Sequence, residues 1–247
     1  MYPRDFLDSY WRTGMRDSAF IAMPFHSEFS SIWHDALRPA IEQDLQPTLK
    51  AERVDTSILS GSIITEILDG IAHSRVVVAD ISIAQEGRWK GQRNGNVMYE
   101  VGIAHASRQS TEVLLLRSDS EDINFDLSGI RVHSYDRSDV SATRERFARL
   151  IADTLGQIDH TKGLQVQKAV DALDADALKF IKSLGGSPAF HGPEPGNIGE
   201  VLLSITKAAA LSRLQSLGIV RCEPAHLSGK PAFFWTEFGK AIVARVG

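Results

Sequence analysis

Glu100 is the only charged side chain between Val97 and Ser107, in a stretch otherwise apolar enough to form a buried helix. Acids are almost never left inside a protein unless something there needs them. An ionised, poorly solvated carboxylate suits attack on a sugar anomeric carbon. It also suits stabilising the oxocarbenium-like state formed when a glycosidic bond breaks. Asp80 follows the apolar run 75–79, and a carboxylate there would orient a ribose hydroxyl or pass a proton to a leaving base. Each residue has a structural alternative: Glu100 as a surface acid complementing a helix dipole, Asp80 as a turn residue at a strand end.

Between these two acids lies the loop 86–93, where Arg88, Lys90 and Arg93 surround Trp89. Cations beside an indole suit gripping phosphates and stacking a base; the alternative is a solvated lid or plain surface charge. His26, His73 and His105 do not share metal-ligand spacing with carboxylates, and no metal is assigned. Cys222 is the lone cysteine, which excludes an intramolecular disulfide and a thiolate cage.

The elements that position these groups follow from the apolar pattern. Runs at 19–23, 75–79 and 113–116 read as strands apolar on both faces, as in a parallel sheet covered by helices. Weaker strands are expected at 49–54 and 130–135, with helices over 28–42, 62–72, 97–108 and 142–155. Regular alternation predicts a doubly wound α/β domain. The link 119–129 looks too short and irregular for a full crossover helix. In such sheets, ligands bind beyond the carboxyl ends of the strands. That rule selects Met23, Pro24, Phe25 and His26 after the first strand, Asp80 after the third and Asp119 after the fourth. Asn96 is the expected N-cap of the helix carrying Glu100, which puts Glu100 near the first turn, where the dipole favours an ionised carboxylate.

Beyond residue 160 the pattern changes to helices over 165–184 and 201–217, strands at 219–221 and 232–235, and a last helix over 237–246. The boundary is placed near Thr161-Lys162-Gly163. Residues 1–18 then form an N-terminal extension, 19–160 the α/β domain and 165–247 a smaller second domain. With 27 basic and 31 acidic residues the net charge is −4, which does not announce a nucleic-acid or membrane-surface protein. The chain start lacks a signal-peptide core and no apolar run is long enough to span a bilayer, so the expected compartment is the cytoplasm.

The segments Phe20-Ile21-Ala22-Met23-Pro24-Phe25, Val78-Ala79-Asp80-Ile81-Ser82, Asn96-Val97-Met98-Tyr99-Glu100-Val101-Gly102-Ile103-Ala104-His105-Ala106 and Asn124-Phe125-Asp126-Leu127-Ser128-Gly129 together resemble the nucleoside 2-deoxyribosyltransferase-like and TIR-like families. The resemblance covers about residues 18–156. It implies a flavodoxin-like fold and cleavage or binding of N-glycosides, with NAD as a possible substrate and no cofactor. It makes Glu100 the catalytic glutamate and Asp80 the strand-end aspartate, with Met23, Pro24 and Phe25 beside the sugar. Asn96 and Tyr99 flank the glutamate, and Asp126 lies in the last segment; both sets join the expected substrate site. The lead into Glu100, Asn94-Gly95-Asn96, departs from the Gly-Thr-type lead of the transferases. NAD hydrolysis, or binding alone, therefore stands beside transfer. The family often completes its site with a neighbouring subunit, implying a homodimer or larger assembly.

Residues 165–247 resemble a winged-helix domain, through the helix ending Leu217-Gly218-Ile219-Val220 and the turn Thr236-Glu237-Phe238-Gly239 before the last helix. A DNA-reading surface should be distinctly basic. Residues 163–247 hold nine Lys and Arg against seven Asp and Glu, so assembly or partner sensing is favoured over nucleic-acid binding. Three functions are carried forward: an N-glycosidase, a non-catalytic nucleotide sensor and, more weakly, a DNA-binding regulator.

Overall fold

The computed structural model describes residues 15–54, 63–122, 130–191, 198–223 and 232–246. The chain divides into two units, Met1–Asp159 and His160–Gly247.

The first unit is built on five parallel strands: β1 (Arg16–Ala22), β2 (Lys50–Glu52), β3 (Ser74–Asp80), β4 (Val113–Arg117) and β5 (Val132–Ser134). Their order, β2-β1-β3-β4-β5, is consistent with a flavodoxin-like core, whose chain reverses direction of winding between β1 and β3. Strand side chains alternate faces, and each face has its own helices. Ala19, Ile21, Val76, Val78, Leu114 and Leu116 meet α1 (Arg38–Glu42) and α4 (Val140–Asp171), the latter through Phe147 and Ile151. Phe20, Ala22, Val77, Ala79 and Leu115 meet α2 (Ile63–His73) and α3 (Gly95–Ser107) through Leu68, Ile71, Val97, Val101 and Ala104. Gly70 of α2 lies so close to the Phe20 ring that a Cβ would overlap it. Removing these central strands from water on both sides is what makes their sequences continuously apolar.

Ahead of α1, the segment 27–42 is a 3-10 turn (Ser27–Phe29) and a π-helical turn (Ile32–Leu37) rather than one uniform helix. Pro39 has no amide hydrogen and its ring crowds the carbonyl one turn back, so the ladder cannot run straight through. The helix expected to end near 155 instead continues to Asp171, through Gly163. An interior glycine costs about 1 kcal/mol relative to alanine, and does not break a helix by itself. Most of the link expected to be irregular, 123–129, lies outside the described residues.

The second unit has α5 (Ala175–Leu184), α6 (Ile198–Ser216) and α7 (Glu237–Val246). Its antiparallel sheet contains β6 (Ala189–His191), β7 (Val220–Glu223) and β8 (Ala232–Trp235) in the order β6-β8-β7. Strand β6 was not expected from its turn-rich surroundings. Phe190 anchors it, packing 5.2 Å from Trp235 and 5.5 Å from Phe180. Gly218 ends α6 with φ +69, the left-handed conformation a glycine adopts without penalty. Thr236 caps α7 by accepting the Gly239 amide at 2.9 Å. No described helix is long and apolar enough to cross a membrane.

Candidate functional site

Register aligns the carboxyl ends of the strands. Ala22 pairs with Ala79, Asp80 with Leu116 and Arg117 with Ser134. The residues that follow form the rim of the sheet: Met23 and Pro24, Ile81 and Ser82, Ser118 and Asp119, Tyr135 to Arg137.

Helix α3 starts at this rim, because the parallel strands β3 and β4 require the connecting helix to run back from it. Its N-cap is Asn94, whose Oδ1 accepts the amides of Asn96 (3.0 Å) and Val97 (3.3 Å). The expectation that Asn96 caps the helix is therefore corrected: Asn94 holds extended φ and ψ of −69° and 116°, while Gly95 already lies in the helix. The two-residue shift places Glu100 in the second turn, beyond the strongest reach of the helix dipole.

At 100° per residue, Glu100 stands about 60° from the stripe of Val97, Val101 and Ala104 that faces the sheet. It is half-buried, and burial pushes its carboxyl up to about 7. The expected fully ionised group is thus one balanced between its two forms at neutral pH, because loss of water outweighs the dipole. Among the described residues no hydrogen bond or ion pair engages it. Tyr99 points the other way and is 54% exposed, and Asn96 is also exposed.

Asp80 is only 1% exposed. One oxygen accepts the Ser82 hydroxyl (2.5 Å) and amide (3.0 Å), and the other accepts the Tyr135 hydroxyl at 2.6 Å. Burial holds its carboxyl above the ordinary range, while the bonds from Ser82 and Tyr135 pull it down. Both oxygens are taken by the protein, so its place is in the framework of the rim rather than across an open crevice from Glu100. Asp119 is likewise withdrawn. It accepts the Ile83 amide at 2.9 Å and pairs with Arg93 at 3.2 Å, with its side chain 2% exposed. Arg93 also donates to Ile81 O and Asp122 O. This cation, read first as part of a phosphate grip, closes the loop onto the rim.

One residue not singled out from sequence ties the rim together. Arg137, after β5, donates to Ser118 Oγ (2.5 Å), to Ile83 O (2.9 Å) and to Glu28 Oε2 (2.7 Å), and lies 4.1 Å over the Phe29 ring. Connections leaving β1, β3, β4 and β5 thus meet at one guanidinium. Glu28 also accepts the Gln85 amide at 2.9 Å, and its other oxygen is 3.1 Å from His26 Nδ1. The sequence signal for Arg137 is weak, since each of its partners is more than 18 residues away.

Beyond β1 lies a cavity of about 280 Å³ whose lining includes Pro24, Phe25, His26, Trp33, His34 and Arg53. Met23, expected beside a ligand, is instead 3% exposed in the core. Arg53 donates to Pro24 O at 3.1 Å and stacks 3.8 Å from the Phe25 ring. Neither Glu100 nor the loop pair Arg88 and Trp89 lines this cavity. Arg88 stacks on Trp89 at 4.8 Å, and both are exposed. The loop touches the cavity wall elsewhere: Gly87, with φ +71, sits so close to His26 that a Cβ would fall 2.9 Å from Nε2. Asp126 lies outside the described residues. Among the described residues, no three His, Cys, Asp or Glu side chains gather to hold a metal ion.

No family model matches the chain, and no curated protein matches it.

Proposed function

We propose that the first unit cleaves the N-glycosidic bond of a nucleotide or nucleoside, NAD being the first candidate, and that Glu100 carries the chemistry. The observation that supports this reading is a desolvated carboxyl pushed up to about 7, with no hydrogen bond or ion pair among the described residues, on the helix that begins at the sheet's carboxyl edge. A group balanced near neutral pH is matched to taking up and returning a proton. The C1′–N bond breaks with its electron pair leaving on the base: nicotinamide leaves NAD already neutral, whereas the anion that leaves an uncharged nucleoside gains a proton from solvent. The Glu100 carboxylate stabilises positive charge at C1′ and accepts a proton from the water that adds there, giving hydrolysis. If the carboxylate instead bonds to C1′ and a second base displaces it, the outcome is transfer. Asp80 acts as a positioning residue that holds Ser82, Ser118 and Tyr135 in place at the rim.

The test is release of free base from NAD and from a panel of nucleosides. Release that disappears in Glu100→Gln supports the reading; ligand binding without any release, at every protein concentration, rejects it.

A second reading, a non-catalytic nucleotide sensor, is favoured by the separation between Glu100 and the cavity lining. In either reading the second unit is a winged-helix module, with β7 and β8 as the wing. It would assemble the protein into a homodimer or larger oligomer in the cytoplasm. Nucleic-acid binding is the weaker role for it, since Arg213 of α6 is engaged by Asp174 at 2.7 Å.

A further inference from the structure

We propose that the outer edge of β5 docks an extended acidic segment of a partner protein, which joins the sheet as a further strand. This goes beyond the glycosidase reading and does not depend on it.

The backbone is the first argument. Strand β5 ends the strand order, and among the described residues β4 is its only neighbour. Just past the strand, the Tyr135 amide donates to Arg117 O at 2.9 Å. In a parallel ladder the main-chain groups of successive residues turn alternately to either side. His133 therefore bonds toward β4 as Tyr135 does, while Val132 and Ser134 turn their N–H and C=O groups outward. Such an edge is a template for one more strand. A nucleic acid has no matching run of amides.

Charge is the second. Arg131 and His133 stand two residues apart and share the face that α4 covers. On that face the Tyr135 ring packs 5.1 Å from Phe147 of α4, which brings Arg146 alongside. Burial, and then the fields of Arg131 and Arg146, hold the His133 imidazole below its ordinary range, so both guanidinium groups converge on it. Both arginines are exposed, and among the described residues neither forms an ion pair. The acids that follow the strand are committed elsewhere. Asp136 accepts the Ser138 amide at 2.8 Å, and Asp139 accepts the Ala142 amide at 2.9 Å. Glu145, next to Arg146 on α4, points about 100° round the helix from it.

The opposite edge of the sheet makes the contrast. Strand β2 carries Lys50 and Glu52, bonded to each other at 3.0 Å, so its charges cancel within the chain. The cations along β5 repel a second copy of this edge and favour an acidic strand opposite them. The other face of β5 is apolar, with Ile130 and Val132 packed against the core under α2 and α3. The strand that fits thus alternates acidic residues, turned toward α4, with apolar ones.

The test is fluorescence anisotropy of the full chain with a labelled peptide that alternates glutamate and valine. The comparison probes are a lysine–valine counterpart, the glutamate peptide with alternate amides methylated, oligoglutamate and single-stranded oligothymidylate. Arg131→Glu, Arg146→Glu and Ser134→Pro are compared with the wild type, and thermal melting checks that each folds. The glutamate–valine peptide should bind about tenfold or more tightly than any other probe. Each charge reversal should weaken it about threefold or more. Ser134→Pro removes one outward N–H from an edge that tolerates proline, and should weaken it about tenfold. Oligoglutamate bound equally well would reduce the edge to a nonspecific cationic patch and overturn the proposal. So would tighter binding of oligothymidylate, indifference to amide methylation or to both charge reversals, or no binding of the glutamate peptide. Should Ser134→Pro fail to fold, the methylated peptide on the wild-type chain decides the backbone claim alone.

Discussion

Arg137 Nη1 stands 2.7 Å from Glu28 Oε2, joining the segment after β5 to the segment after β1 across 109 positions of sequence. Glu28 is 9% exposed at its side chain and Arg137 19%, so removing the cation strands a poorly hydrated carboxylate. Breaking such a pair costs more than forming it returns. Arg137→Met should therefore destabilise the protein by about 2–4 kcal/mol. Arg137→Lys should restore only part of that, because an ammonium cannot reach Glu28, Ser118 and Ile83 together. Urea melts of both variants check this, and a loss below about 0.5 kcal/mol would place the hub among weak surface pairs.

Glu100 should be a liability for stability. Its carboxyl is at about 7 in the folded chain against an ordinary value of 4.5. The folded state thus binds the proton more tightly than the unfolded one. Stability is full below pH 4.5 and declines as pH rises toward 7. Allowing for its partial exposure, the loss at pH 8 is about 1–2 kcal/mol. Glu100→Gln should then be more stable than the wild type at pH 8 by about that amount, with little difference at pH 4.5. Melting temperatures at the two pH values decide the point; equal destabilisation at both would contradict it.

The Tyr135 hydroxyl is the only group on Asp80 Oδ2 among the described contacts. Tyr135→Phe should cost about 1–3 kcal/mol, since a buried acceptor loses its donor while the ring still packs on Phe147. Asp80→Asn should also destabilise, because an amide cannot accept on both sides. A double variant that costs less than the sum of its parts would show that the pair acts as a unit.

Gly87→Ala tests the contact between the loop after β3 and the cavity. The glycine has φ +71, and a methyl would meet His26 Nε2. Strain of about 1 kcal/mol is expected, together with a displaced His26 ring. A perturbed His26 signal in an imidazole NMR spectrum, with the rest of the spectrum unchanged, is the expected outcome; an unmoved signal contradicts the contact.

The scaffold was legible where burial writes a pattern. Strands β1, β3 and β4 are covered on both faces, so 19–23, 75–79 and 113–116 stand out as unbroken apolar runs. The rim was less legible, because its acids owe their environment to partners remote in sequence. Asp80 and Asp119 read as ligand-facing from their strand-end positions, yet Tyr135 and Arg93 occupy them. No local period announces Arg137, and two asparagines two residues apart have equal cap chemistry until the backbone chooses Asn94. Glu100 was legible for a simple reason: an acid amid apolar neighbours on a helix costs stability, and its sequence neighbours already reveal that cost.

The most direct measurement follows base release from NAD and from a nucleoside panel by the wild type and by Glu100→Gln, across pH 5 to 9. Glu100-dependent release, rising as the carboxylate forms through a transition near pH 7, is the expected result. Release that is unchanged by the substitution, or absent while ligand still binds, would contradict a catalytic Glu100.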